Sequence, residues 1–364
     1  MSAAVDVAQP KNPIDTTEDC RFCWMCRQAC PVGHVTARET LTPHGWALTI
    51  DSVKRGNLTW TAETIDVLYS CADCGLCRAH CITDRPLPEA ITAVRAELVA
   101  KGQAPAIVGE LNQRFLRTIA PSTNVGVGEV GLFVGEVAGA EVDAVIKLLA
   151  AVGIAPVLIG QGRSNGVVAS SLGLRETAVA LARQVLSDIA ASACRELLVL
   201  TPEDRFGFER VYVDRLGLGW LSSVKVRDVT AVLAEALAGG RLSFKPLADA
   251  PAYAYHDPCH SARIERDDAA PRALLRAVLG SNAEKNLFWR GRRAHPCGAV
   301  GGLQFTQPAI AAKLADARLE DAKSAGASWL ITDDPACAHH LRSRPQQDVT
   351  VRGFYELLAE QLVG

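Results

Sequence analysis

Two stretches of this chain carry the same cysteine spacing. Cys20, Cys23, Cys26 and Cys30 form one C-x2-C-x2-C-x3-C run, and Cys71, Cys74, Cys77 and Cys81 form a second. Three thiols separated by two residues in a tight loop can reach three irons of one cubane, while the fourth, on the following helix, points to the neighbouring cubane. The spacing therefore predicts one 4Fe-4S cluster on Cys20, Cys23, Cys26 and Cys81 and another on Cys71, Cys74, Cys77 and Cys30. Structural zinc is the competing explanation, but zinc sites need only four ligands each and show two well-separated C-x2-C pairs. Pro31 follows the first run, whereas Ile82 follows the second and the nearest proline is Pro86. That departure leaves the ligands intact. Arg21, Arg27 and Arg78 stand beside the ligands as candidates to offset cluster charge, although exposed arginines on a helix are the commoner explanation.

The other four of the twelve cysteines are Cys194, Cys259, Cys297 and Cys337 in a chain of 364 residues, long enough for two or three domains. Lys and Arg total 38 against 40 Asp and Glu, a formal charge of -2, which removes the electrostatic handle for nucleic acid. The longest uncharged apolar stretch, between Lys147 and Arg163, is shorter than the ~20 residues a bilayer span needs and contains Pro156. Residues 1–19 lack a basic start backed by an apolar core, so no secretory signal is expected. The expected location is cytoplasmic, or peripheral at the inner face of the membrane. In that setting the cysteines point to metal or redox chemistry instead of disulfides.

The cysteine-dense head, residues 1–101, reads as a helical ferredoxin-like domain closed by a helix with Ile91, Val94 and Leu98 on one face. Residues 102–128 read as a connector, with turn formers at both ends and a helix near 110–119. Beyond it, apolar runs at 130–134, 156–159, 197–200, 252–255 and 329–332 alternate with helical patterns near 140–152, 175–190, 272–279 and 308–324. That is the pattern of a parallel sheet. An internal duplication follows, with one α/β repeat at 129–245 and another at 246–364. Aligning strand ends sets Glu136 against Cys259, Asn165 against Cys297 and Asp204 against Cys337. The predicted fold class is α+β multidomain: a helical two-cluster ferredoxin module followed by a duplicated α/β domain.

The segments Tyr255–His260, His295–Gly302 and Asp333–His340 gather histidines beside Cys259, Cys297 and Cys337. Together with the head they resemble the iron-sulfur superfamily of heterodisulfide reductase, glycolate oxidase and anaerobic glycerol-3-phosphate dehydrogenase. The resemblance covers nearly the whole chain. A complete site in that family uses a double cysteine before glycine and a C-P-x-C. Here Pro296-Cys297-Gly298 and Pro335-Ala336-Cys337 leave three cysteines of five. In the first repeat Glu136, Ser164, Asn165, Thr201 and Asp204 leave none, so the resemblance implies no cluster there.

Cys259, Cys297 and Cys337 are expected to converge at strand carboxyl ends, where open α/β sheets place ligands, and to hold a third iron-sulfur cluster or a zinc, the alternative being a decayed site whose cysteines are small buried residues. His260 is the first choice of fourth ligand, ahead of His295 and His339. His34, His44 and His80 read as surface or supporting residues and Cys194 as core. The glycines of Gly298-Ala-Val-Gly301-Gly302 read as a tight turn bringing amides to the metal site. No flavin or nicotinamide site is visible in the chain.

The resemblance implies a non-catalytic iron-sulfur electron-transfer subunit. Its partners would be a flavin-containing dehydrogenase subunit and, as acceptor, a quinone, an electron carrier or a membrane partner. A heterodisulfide or thiol-disulfide reductase subunit and a metal-bearing docking scaffold are the alternatives.

Overall fold

The computed structural model describes residues 12–119, 125–137, 139–219, 223–264, 268–345 and 348–363. Residues 1–11 of the segment read for a secretory signal, and the turn formers at 121–124, lie outside them. Short helices build the head, chiefly Pro31–Thr36, Pro43–Lys54, Ala62–Tyr69, Leu76–His80 and Leu87–Ala100. Thr42 starts the second of these by accepting a hydrogen bond from the Gly45 amide, and Thr61 with Thr64 forms a reciprocal cap on the third. Helix Leu87–Ala100 buries Leu87, Ile91, Val94 and Leu98 at helical spacing, together with Arg95 on the same side. Trp46, also buried, donates from Nε1 to the Val67 carbonyl at 2.9 Å, so its one polar atom is satisfied. The connector helix runs from Ala106 to Thr118.

Two four-stranded parallel sheets follow. The first has β1 (Val130–Phe133), β2 (Val157–Ile159), β3 (Glu196–Val199) and β4 (Lys225–Asp228) in the order β2-β1-β3-β4. The second has β5 (Tyr253–Tyr255), β6 (Glu284–Lys285), β7 (Trp329–Thr332) and β8 (Thr350–Gly353) in the order β6-β5-β7-β8. The registers Val130↔Glu196 and Tyr253↔Trp329 place equivalent strands side by side in each sheet. β4, β6 and β8 were not among the predicted strands. β4 and β8 are edge strands whose charged residues interrupt any apolar run, a common protection of an open sheet edge. Arg227 of β4, for example, pairs with Glu196 on the neighbouring strand and with Glu235.

The two units pack reciprocally. Helix Val229–Ala238, after β4, packs on Ala269–Leu279, after β5, while Phe354–Glu360, after β8, packs on Gly139–Ala151, after β1. Two copies of one fold related by a pseudo-twofold make this pair of contacts. Leu132, Leu198, Tyr253, Ile331 and Phe354 share one apolar core across the junction, and Tyr355 donates to the Leu200 carbonyl at 3.0 Å. The head continues into a different core with the first unit, and the Tyr69 hydroxyl donates to the Leu172 carbonyl at 3.1 Å. Among the described residues, no helix is long and apolar enough to cross a membrane.

Candidate metal centres

The first cysteine run winds through short turns: Cys20 ends helix Thr17–Cys20, Cys26 precedes a 3-10 turn at Arg27–Ala29, and Cys30 leads into Pro31–Thr36. Cys20, Cys23, Cys26 and Cys81 line a cavity of about 170 Å³, with Cys77 also on its wall. Burial pushes the Cys20 thiol up to about 11, the Thr16 hydroxyl opposes it, and the Cys81 and Cys23 sulfurs add to it. Burial, then Cys20, Cys23 and Cys81, push Cys26 up to about 12.

The second run lies deeper. Cys71 and Cys74 are buried, and the chain turns through Asp73 at φ 51° and Gly75 at φ 70° before helix Leu76–His80 begins. Cys30 is raised by burial and by the neighbouring Cys74 and Cys71. Cys77 is raised by burial and by Cys26, Cys71, Cys74 and Cys30. Thiols packed together out of water resist ionisation, and a cation among them reverses that preference. Both groups of sulfurs therefore fit a metal cluster.

The arginines beside the ligands in sequence are paired with carboxylates. Arg21 pairs with Asp51 at 2.9 Å, Arg27 with Glu39 at 2.5 Å, and Arg78 with Asp84 at 2.7 Å and Glu89 at 3.0 Å. Other arginines grip the Cys71–Cys74 loop: Arg95 bonds the Cys71 carbonyl at 2.7 Å, Arg263 the Cys74 carbonyl at 3.0 Å, and Arg215 the Asp73 carboxylate at 2.6 and 3.0 Å.

At the carboxyl ends of the second sheet, the Cys297 and Cys337 sulfurs are 2.9 Å apart. A ring nitrogen of His256 joins them in a group whose ligand atoms all lie within 4.8 Å of one another. His256 is fully buried and neither ring nitrogen has a hydrogen-bond partner. Burial, with Arg318 nearby, holds its pKa well below the usual histidine value, so the ring is neutral and able to act as a ligand. The N and S donors suit zinc or iron.

His256, not His260, is thus the histidine brought to these cysteines. His260 stacks on Phe206 with centroids 4.3 Å apart and sits 3.7 Å from Glu203 of the first unit. His295 stacks on Trp289 at 4.0 Å, and His339 is exposed on helix Pro335–Arg342. Cys259 lies outside the group of three, and its charge environment includes both Cys74 and Cys297. The signal for His256 is its position as the first residue beyond β5. The glycine run serves close packing, since a Cβ on Gly301 would lie 2.6 Å from the Ala72 carbonyl oxygen and one on Gly298 2.3 Å from that of Ala311.

The equivalent end of the first sheet is a closed hydrogen-bond set. Asn165 donates to Asp204 at 2.7 Å, Thr201 donates to the other carboxylate oxygen at 2.7 Å, and Tyr212 donates to the Asn165 carbonyl at 2.8 Å. Thr201 caps the Asp204 amide as Asp334 caps the Cys337 amide, so the same local cap holds a carboxylate in the first unit and a thiol in the second. Burial outweighs the Thr201 and Asn165 bonds and raises Asp204 to about 7. A cavity of about 750 Å³ separates the two strand ends and is lined by Glu136, Asn165 and Asp204 on one side and Cys259 and Cys337 on the other.

Comparison with known proteins matches a 4Fe-4S dicluster domain at residues 16–84 and a cysteine-rich domain at 253–342. A dihydromethanophenazine:CoB–CoM heterodisulfide reductase component of Methanosarcina barkeri is 25% identical over 329 residues, 82% of this chain and 79% of that one. A probable membrane-anchored ferredoxin of Chromohalobacter salexigens is 25% identical over 92% of this chain, which spans only 53% of that protein. A fumarate reductase (CoM/CoB) component of Methanothermobacter marburgensis is 24% identical over 80% of this chain and 61% of its own length. In fold, the chain is similar to a hypothetical protein from Helicobacter pylori, with a TM-score of 0.57 over 97% of this chain and 72% of that one at 11% identity. The chain thus joins a 4Fe-4S dicluster domain to a cysteine-rich domain and is similar to components of heterodisulfide reductases and related iron-sulfur proteins.

Proposed function

We propose that this chain is the electron-transfer subunit of a multisubunit flavin-dependent dehydrogenase or oxidoreductase, working between a flavoprotein subunit and a quinone or other acceptor. The observation that carries the reading is the gradient of exposure across the two cysteine runs. In the outer group Cys23 is exposed and Cys20, Cys26 and Cys81 are half-buried, whereas in the inner group Cys30, Cys71 and Cys74 are buried and Cys77 is half-buried. Cys20, Cys23, Cys26 and Cys81 hold one cluster; Cys71, Cys74, Cys77 and Cys30 hold the other. When bound, 4Fe-4S clusters supply one-electron acceptance and return. The protein supplies a surface end at Phe22, Cys23 and Trp24 and a more deeply buried inner end near Tyr69 and Arg95. His256, Cys297 and Cys337 hold a further metal beyond the inner end, and Cys259 stands between. The chain works in the cytoplasm or peripheral to the inner face of the membrane, and the relative named a probable membrane-anchored ferredoxin supports only the association with a membrane.

A thiol-disulfide reductase subunit is the second reading, favoured by the contact of the Cys297 and Cys337 sulfurs and by the likeness to a heterodisulfide reductase component. The test is anaerobic reduction of the purified chain. Reduction by a co-purifying flavoprotein and its substrate, with none by the substrate alone, is the expected result. Turnover of a small substrate at a catalytic rate by the isolated chain would contradict the proposal, and turnover of a disulfide would establish the second reading.

A further inference from the structure

Two guanidinium groups next to the inner cysteine loop have no carboxylate partner among the described residues. Arg95, 1% exposed, donates to the carbonyls of Leu68 at 2.8 Å, Cys71 at 2.7 Å and Ser171 at 2.8 Å. It lies 4.8 Å over the Tyr69 ring, and its Nε has no partner. Arg263 comes from the second α/β unit and donates to the carbonyls of Cys74 at 3.0 Å, Arg292 at 3.0 Å and Ala294 at 3.1 Å, with a longer bond to Ala262. Asp73, the carboxylate of the same loop, is taken by two bonds from Arg215 and one of 2.6 Å from Ser171. Glu89 stands 3.8 Å from Arg215 and 3.0 Å from Arg78.

Carbonyl dipoles satisfy the donors of the buried Arg95 and the half-buried Arg263 but do not neutralise their charge, and the Asp73 carboxylate near Arg95 is bonded to Arg215 instead, so positive charge withdrawn from water is left only partly compensated at a cost. The carbonyls chosen include those of two of the cluster ligands themselves, Cys71 and Cys74. The outer loop differs: Arg21 pairs with Asp51, Arg27 with Glu39, and Arg85 with Asp19 at 2.8 Å. Its positive charges are paired directly with carboxylates, and the Arg27–Glu39 pair is also open to solvent.

We propose that Arg95 and Arg263 are the counter-charges of the cluster held by Cys30, Cys71, Cys74 and Cys77, and set its reduction potential above that of the outer cluster. The proposal rests on the two-cluster reading above. Reduction adds one negative charge, and a fixed positive charge nearby in a medium of low dielectric favours that state. Both arginines are positioning residues. Their effect gives electron flow a direction, from the exposed loop toward the α/β units, and Arg263 makes that direction depend on the second unit being docked.

The test uses the full chain, purified anaerobically, with iron and sulfide assays and a redox titration followed by electron paramagnetic resonance. R95Q and R263Q should keep about eight irons, the complement of two cubanes. Each should move one cluster's ratio of reduced to oxidised form at fixed potential about tenfold toward oxidised, equal to about 59 mV for a one-electron couple. The other cluster should not move, R95K and R263K should restore the ratio, and the shifted signal should persist in C23S, which lacks the outer cluster. If R95Q loses iron, the half-buried R263Q decides. Full iron with both potentials unmoved in R263Q would overturn the counter-charge role while leaving two clusters in place. Far fewer than eight irons in the wild-type chain would overturn the two-cluster reading and this proposal with it.

Discussion

In the outer cysteine run Cys23 is exposed and flanked by Phe22 and Trp24, 74% and 60% exposed, whereas in the inner run Cys71 and Cys74 are buried beneath both α/β units. The spacing of the two runs is the same, so the difference arises wholly from what packs on them. Trp24 stays within its own neighbourhood, donating to His44 at 3.1 Å. The inner loop is held by Arg95 from the head, Arg215 from the first unit and Arg263 from the second. Ligation is a local property of a spacing, and the use made of a ligated cluster is a tertiary one.

The sharpest way to break this comparison is to remove one ligand from each run. C23S should lose about half the iron and leave the fold standing, because its surroundings are solvent. C74S should also weaken the joint between head and α/β units, lowering Tm by on the order of 10 °C more than C23S, since metal binding here is coupled to tertiary packing. Thermal unfolding and iron content of the two variants, side by side, check this. Equal losses would show that the inner run is no more integrated than the outer.

D73N comes next. Asp73 and Arg215 are both buried, and removing one partner of a buried pair costs about 3–5 kcal/mol because the other charge is left unpaired. Burial alone would raise the Asp73 carboxyl, but Arg215, followed by Ser171 and Arg95, holds it below its ordinary value. It is therefore ionised at neutral pH, and denaturant titration at pH 7 should show the full loss. A change under about 1 kcal/mol would mean the pair does not clamp the loop.

How much of this is legible in the sequence depends on distance along the chain. The cysteine spacing and the apolar strands β3 and β7 are local patterns, and the sequence places them to within a residue or so of where they lie. β4 and β8 escape it, because their charged alternation resembles a loop once the neighbouring strand is out of view. Adjacency to Cys259 points to His260 ahead of His256, and only the fold shows that the chain turns His260 toward Phe206. Arg95 and Arg263 carry no signal at all: their carbonyl partners in the inner loop lie 24 and 189 residues away.

A control remote from both runs sharpens the comparison further. Glu141 is raised to about 7, first by burial and then by Glu356, with Arg342 opposing. Its folded pKa lies above the ordinary 4.5, so folding takes up a proton between those values. The stability linked to Glu141 is fully present below pH 4.5 and is lost as pH rises through 7. E141Q should be flatter across that window and gain about 1–2 kcal/mol relative to wild type at pH 8, read by denaturant midpoints, with iron content unchanged. The smallest effect belongs to Phe22: F22A should alter stability by less than about 0.5 kcal/mol while slowing electron exchange with a protein partner in stopped-flow measurements. A large stability loss would place Phe22 in the core and remove the surface end of the path.

The central claim is that this chain binds two 4Fe-4S clusters whose fourth ligands are exchanged between the runs. The direct measurement is iron, sulfide and Mössbauer analysis of anaerobically purified wild type beside C30S and C81S. Wild type should contain about eight irons, C30S should lose the inner cluster's signal and C81S the outer cluster's. Stoichiometric zinc without sulfide, or each substitution abolishing the cluster of its own run, would contradict it.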